Sequence, residues 1–436
     1  MKSILVLIVA SFIGTPARSQ STVLLSQDID ESQNPYLVAF SGSIADGLVE
    51  VWRSDPGING WRNHIDAPAI EDINGDGTNE IIAVDRGRIL VWQPPSSTPD
   101  VFDADVETTF GFSSLTVGDL NEDGVREIIV GINNELVILN WNHGFNLVDQ
   151  IRVSSLQNIR TLLAASRTGS NDSVLFVGGW SVSGDSTLTP RNQASKHIPV
   201  FDLLPNWKFE NGQAQIEGYY LSQFPSVASP YSRINSLRLA DLDGDKIPEL
   251  VASGSDHGAE NGEGKSFPSG GVAVWTYDIE QDRYDISSRL ENQWRIIPEH
   301  ERGESEYAPK YESIIGSIGN GIEAMNVADL TQDGIPEIIT ASFGSYMNPQ
   351  NGEDSRISIL KYERGEIVFL DQLVLPGGYS HFSGVAVGDL DEDGILEFTD
   401  SGKFLLNWDS QRLIFNYVPI PASQSNYLVF GKIRFK

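Results

Sequence analysis

DINGDGTNEI, residues 72–81, is met again as DLNEDGVREI at 119–128, DLDGDKIPEL at 241–250, DLTQDGIPEI at 329–338 and DLDEDGILEF at 389–398. Every copy carries an acid at its first, fifth and ninth positions. That spacing has a chemical reading, because a tightly curled loop can present side-chain oxygens at alternate positions and a carbonyl at the seventh. Calcium requires six to eight oxygens at about 2.3 to 2.6 Å. The side-chain ligands are therefore expected to be Asp72, Asn74, Asp76 and Glu80; Asp119, Asn121, Asp123 and Glu127; Asp241, Asp243, Asp245 and Glu249; Asp329, Thr331, Asp333 and Glu337; and Asp389, Asp391, Asp393 and Glu397. Thr78, Val125, Ile247, Ile335 and Ile395 would give the backbone oxygens.

The loops are not equivalent. Those headed by Asp241 and Asp389 have carboxylates at all four side-chain ligand positions, whereas Thr331 replaces an acid and should weaken its site. Position 6 is glycine except at Lys246, where Gly244 at position 4 is expected to relieve the turn instead. The residues after position 9 (IIAV, IIVG, LVAS, IITA, FTDS) are β-type sequence, so these are not the helix-flanked loops of EF-hands.

An apolar lead-in precedes each first aspartate, as in SSLTVGD and SGVAVGD, and a third apolar run comes after, ending at or near Trp92, Trp141, Trp275 and Trp408. The unit is strand, loop, strand, turn, strand over roughly 45 residues, a period typical of propellers and solenoids. LLAASRTGSNDSVLFVGG keeps the frame without the acids, with Ser166 at position 1 and Val177-Gly178 matching Val130-Gly131. YLVFGKIRF, from Tyr427 to Phe435, reads as a lead-in strand with Lys432 where the aspartate should be. YLVAFSG and LVEVW, ending at Trp52, read as the second and third strands of a unit lacking its first. Joining the two ends would close the ring and protect the sheet edges. The expected fold is all-β, one seven-bladed β-propeller over residues 20–436, with calcium loops between strands 1 and 2 of five blades.

The D-x-[DN]-x-DG-x-x-E loop between strands resembles that of the FG-GAP/VCBS repeat group, which includes the integrin α-subunit propeller, fungal propeller lectins and many secreted bacterial proteins. The resemblance spans the chain after the leader and, with no Gly-Ala-Pro triplet present, is nearer the bacterial type. It implies a calcium-stabilised propeller. It does not choose a function, because the group is functionally mixed.

Residues 1–19 read as a secretory leader: Lys2, the run ILVLIVASFIG, then Ala17-Arg18-Ser19 as a cleavage site. The run is too short for a bilayer, which needs about 20 residues. Cysteine is absent, so rigidity must come from calcium and ring closure rather than disulfides. The formal net charge is -30. Five divalent ions would bring it to about -20, still unsuited to nucleic acid or to insertion in an anionic membrane. A monomer, secreted to the extracellular space or periplasm, is expected.

The longest connections (about Trp180 to Lys196, Ser255 to Gly270, Phe343 to Ser355) fall on the face opposite the metal loops, in three consecutive units. Such a rim is a natural ligand site. Trp61, Trp180 and Trp294 break the tryptophan period and, with Tyr346, are candidates to stack on sugars. The ligand is expected to be a glycan or an extracellular protein. The alternative is a polysaccharide lyase acting on acidic polysaccharide, with His64, His257, His381, Tyr379 and Arg62 as candidate catalytic residues. A structural or adhesive module is the third reading.

Overall fold

The computed structural model describes residues 21–29, 35–55, 66–85, 87–104, 113–120, 123–153, 156, 158–166, 173–180, 200–202, 232–261, 265–280, 283–291, 294–296, 311–313, 321–343, 355–375, 385–399, 404–412, 414–420 and 429–433. The expected leader lies outside them.

The chain opens with the antiparallel strands β1 (Ser21–Ile29), β2 (Pro35–Ser43) and β3 (Gly47–Arg53). A four-stranded sheet follows, of β4 (Asp66–Glu71), β5 (Glu80–Asp85), β6 (Arg88–Trp92) and β7 (Asp100–Asp103). The next holds β8 (Ser113–Gly118), β9 (Glu127–Ile132), β10 (Glu135–Trp141) and β11 (Phe145–Arg152). A seven-stranded sheet then takes β12 (Asn158–Ser166), β13 (Ser173–Trp180), β14 (Val200–Asp202), β15 (Ser232–Ala240), β16 (Glu249–Asn261), β17 (Lys265–Asp278) and β18 (Arg283–Glu291). The short β19 (Trp294–Ile296) pairs with β20 (Tyr311–Ser313). Two more four-stranded sheets are β21 (Gly321–Ala328), β22 (Glu337–Phe343), β23 (Ser355–Glu363) and β24 (Glu366–Leu375), then β25 (Val387–Gly388), β26 (Glu397–Thr399), β27 (Phe404–Asp409) and β28 (Ile414–Pro419). Finally β29 (Val429–Ile433) pairs with β1, so the first sheet runs β29-β1-β2-β3.

The protein is thus an all-β propeller, but the described strands form six blades and not the expected seven. The units expected as third and fourth blades are joined in one sheet. The reason is local: β14 covers only Val174 to Phe176 of β13, and the free end of that edge, at Trp180, pairs with Arg233 of β15.

Closure also differs in detail from the sequence reading. The C-terminal strand does meet the N-terminal segment, but its partner is β1, whose sequence STVLLSQDI was not expected to be a strand. YLVAFSG and LVEVW are therefore third and fourth from β29 rather than second and third.

Burial follows position within a blade. The second strands EIIAVD (β5) and EIIVGI (β9) are buried at every residue, since a blade lies against both faces, so they read as continuous apolar runs rather than alternating ones. The outermost strands β7, β11 and β28 are largely exposed. The cores accordingly lie between blades. Val23, Leu25, Leu37 and Ala39 pack against Ile81, Ala83, Leu90 and Trp92. At the seam, Leu24, Tyr36, Val38 and Phe40 meet Ala386, Leu390, Leu405 and Ile420.

First strands lie side by side around the ring: β4 by β8, β8 by β12, β12 by β15, β15 by β21, β21 by β25, β25 by β29, and β29 by β4. Side chains tie several of them together. Asn235 Nδ2 donates to the Ile322 carbonyl at 2.8 Å, Arg238 Nε to Asn326 Oδ1 at 2.9 Å, and Asn326 Nδ2 to the Val385 carbonyl at 2.9 Å.

The repeated Val-Gly has a packing role. A Cβ on Gly131 would lie 2.5 Å from Ile159 Cγ2, and one on Gly178 would lie 2.8 Å from Ile234 Cγ2, each Ile belonging to the next unit's first strand. Gly131→Ala is expected to cost about 1 to 3 kcal/mol through overpacking, which urea unfolding would show as a lower midpoint at unchanged slope.

The tryptophans expected at one repeat position occupy more than one. Trp92 and Trp275 pair with the residue after the loop glutamate, Ile81 and Leu250, whereas Trp141 and Trp408 lie two residues beyond the equivalent Leu139 and Leu406. A step of two keeps a side chain on the same face of a strand, so all four are buried between blades. Trp52 is also buried, but on a fourth strand.

Candidate metal sites

Each acidic loop joins a first strand to a second strand, and its backbone is organised by its own carboxylates. In the 72–80 loop, Asp72 Oδ1 accepts from the amides of Gly75 and Asp76 at 2.8 and 3.1 Å, and Asp72 Oδ2 from Gly77 at 2.8 Å. Asp76 Oδ1 accepts from Thr78 at 2.7 Å. The same bonds recur at Asp119 with Asp123 and Gly124, at Asp329 with Asp333 and Gly334, and at Asp389 with Asp393 and Gly394. The position-7 residues Thr78, Val125, Ile247, Ile335 and Ile395 all donate their amides to the position-5 aspartate. Residues 121–122, including the expected ligand Asn121, lie outside the described residues.

The curl demands positive φ at position 6: 81° at Gly77, 85° at Gly124, 89° at Gly334, 87° at Gly394, and 71° at Lys246. Gly244 does not spare Lys246, contrary to the sequence expectation. Position 4 is left-handed as well, at Gly75, Gly244, Gln332 and Glu392. Lys246→Gly is therefore expected to raise stability by about 1 kcal/mol by removing a Cβ from an αL site, read as a higher melting temperature.

Position 9 is different, since Glu80, Glu127, Glu249, Glu337 and Glu397 begin second strands and are buried. In each, Oε2 accepts the amide of loop position 2, from Ile73, Leu120, Leu242, Leu330 and Leu390, at 2.7 to 3.1 Å. Burial pushes the carboxyls of Glu80, Glu127, Glu249 and Glu397 up to about 7, the loop aspartates add like-charge repulsion, and the amide bonds oppose the rise. A buried carboxylate beside other carboxylates is costly unless a cation compensates it. Glu127 Oε1, fully buried, has no hydrogen-bond partner among the described residues.

The donor set fits a hard, oxygen-seeking cation. Carboxylate oxygens of Asp241, Asp243 and Glu249 lie within 4.8 Å of one another, as do those of Asp389, Asp391 and Glu397. Among the described residues, these are the two loops with a carboxylate at all four side-chain ligand positions.

One participant was missed. Lys361, on β23, places Nζ 2.9 Å from Asp333 Oδ2. It follows Leu360, which pairs with Ile338, and the residues equivalent in register are Gln93, Asn140, Thr276 and Asn407. Aligning third strands would have exposed the one lysine among them.

The candidates on the opposite face are not brought together by the described residues. Trp61, Arg62, His64, Tyr346, Tyr379 and His381 lie outside them. His257 is on β16, where pairing with β17 shifts between Asp256 and Ala259. Trp180 ends β13 opposite Asn158 and Arg233, and Trp294 begins β19 opposite Ser313. The segment 255–270, expected to be a long loop, is instead a hairpin, with pairing continuing to Asn261 and Lys265.

Residues 72–130 match the family model of the FG-GAP-like repeat, covering the first two acidic loops. No curated protein matches the sequence. Among solved structures, a protein from Lactobacillus plantarum superposes with a TM-score of 0.51 at 11% identity, over 94% of this chain and 99% of its own. A lectin from Agrocybe aegerita, solved for its recognition of non-reducing terminal N-acetylglucosamine, gives 0.45 at 13% identity, over 95% and 96%. At 11% identity the first of these likenesses concerns the fold only.

Proposed function

We propose that this chain is an exported, monomeric, calcium-stabilised β-propeller that binds a glycan or protein ligand on the face opposite its acidic loops. The observation that carries the ligand face is the β16–β17 hairpin. Its strands have 13 and 14 residues, against 6 and 5 in β5 and β6. β16 leaves the acidic loop at Glu249 and runs away from it, so at roughly 3.3 Å per residue the hairpin reaches about 20 Å further than its counterpart. Projecting elements on a rigid scaffold are where ligand contacts concentrate.

Calcium is supported by the five loops, by their buried glutamates and by the converging carboxylates at Asp241 and Asp389. Such a scaffold suits calcium-rich surroundings outside the cell. No helix among the described residues is long and apolar enough to cross a membrane. The lyase reading needs a base and an arginine converging in one cleft, and no described observation favours it.

The test is retention of the purified protein, with calcium present, on immobilised neutral and uronic-acid polysaccharides, following absorbance of unsaturated uronate in parallel. Retention lost on replacing 256–269 by a short turn, or in Trp180→Ala or Trp294→Ala, is the expected result. Rising absorbance that disappears in His257→Ala would replace binding by lyase chemistry. Silence on every glycan would direct the search to protein ligands.

A further inference from the structure

The fourth acidic loop, 329–337, is built differently from its neighbours. At position 3 it has Thr331, whose hydroxyl donates to Glu337 Oε1 at 3.2 Å. The other carboxylate oxygen, Oε2, accepts from the amides of Leu330 at 2.9 Å and Thr331 at 3.3 Å. Both oxygens of the buried glutamate are therefore satisfied from within the chain, as they are in the 72–80 loop, where Asn74 Nδ2 donates to Glu80 Oε1 at 3.2 Å and the Ile73 amide to Oε2 at 3.1 Å, so what sets the fourth loop apart is the cation at position 5. At position 5, Asp333 Oδ2 holds the Lys361 ammonium at 2.9 Å, with the lysine side chain only 24% exposed. The third strands beside the other four loops carry Gln93, Asn140, Thr276 and Asn407 at this place, none of them a cation.

We propose that the 329–337 loop takes no calcium and that the Lys361 ammonium is its permanent internal cation, so that the chain binds at most four ions. The inference rests on the calcium reading above and sharpens it. A divalent ion in this loop would have to share Asp333 with a fixed positive charge. Like-charge repulsion at contact distance opposes that.

The position of this loop gives the difference a use. It stands between the two loops with a carboxylate at all four side-chain ligand positions, those headed by Asp241 and Asp389. Gln332 Nε2 donates to the Gly394 carbonyl of one at 2.7 Å, and a Cβ at Gly244 of the other would lie 3.7 Å from Ile335 Cδ1. A loop that needs no metal braces both neighbours when calcium is scarce.

The experiment counts calcium ions per chain by equilibrium dialysis and elemental analysis, on wild type, Asp333→Asn, Asp393→Asn and the double variant Thr331→Asp with Lys361→Gln. Asp393→Asn should lose one ion and Asp333→Asn none, while the double variant should gain one. Loss of an ion in Asp333→Asn overturns the proposal, and no gain in the double variant overturns Lys361 as its cause. No bound calcium in any protein would instead remove the calcium reading, and this inference with it, a result distinguishable from the other two.

Discussion

Chelating calcium should lower the melting temperature by roughly 10 to 15 degrees, and scanning fluorimetry with calcium against excess chelator would measure it. The size comes from linkage: an ion present at a hundred times its dissociation constant contributes about 2.7 kcal/mol, so four independent sites contribute roughly 11 kcal/mol. That is comparable to the whole stability of a typical domain. The structural cause is the buried glutamate at the root of each loop, which carries negative charge into the apolar interior beside the aspartates. On the proposed calcium reading, the chelator removes the compensating cation while the burial remains. The effect should extend beyond the loops, because Ile73 belongs to one interblade core and Leu120 to the next. A shift of only a degree or two would mean that backbone amides alone stabilise these carboxylates, and that the acidic loops are surface turns.

The second large effect is expected in the wall between the first two sheets. Trp92 is fully buried and meets Trp52 edge to face, with ring centroids 6.4 Å apart and planes at 82°. Its indole N–H donates to the Ser97 carbonyl at 3.1 Å, as that of Trp52 does to Ser96 at 3.2 Å. Trp92→Ala should cost about 3 to 5 kcal/mol, the usual range for emptying a large aromatic site in a core. Guanidinium unfolding would report it as a lower midpoint. Blade interfaces in a ring cannot collapse independently, since closing one gap opens another, which places the expectation at the upper end. A loss below about 1 kcal/mol would show that this interface is loosely packed. Trp275→Phe should be milder, because the Trp275 N–H has no partner among the described residues and no hydrogen bond is lost.

How much of this architecture is legible in the sequence depends on the range of the forces involved. Loop residues bond to carboxylates at most a few positions away, such as Gly77 to Asp72 or Leu120 to Glu127. A spacing repeated five times therefore predicts the turn, the buried glutamate and the second strand together. Lys246 adopting the left-handed backbone itself shows that loop geometry prevailed over residue preference. The opposite face was less accessible, because its candidates are scattered residues without a repeat to align them.

The sequence by itself determined the repeating strand-loop-strand unit, the FG-GAP-like character of its first two acidic turns and the all-β propeller, since each rests on contacts local in the chain. Only the tertiary structure decided how the units join. Strand edges pair through backbone groups that every residue carries, so nothing in the side-chain pattern announces Trp180 opposite Arg233, nor β1 between β29 and β2. Lys361 belongs to the same class: it lies 28 residues from Asp333 and reaches it because β22 and β23 pair in register.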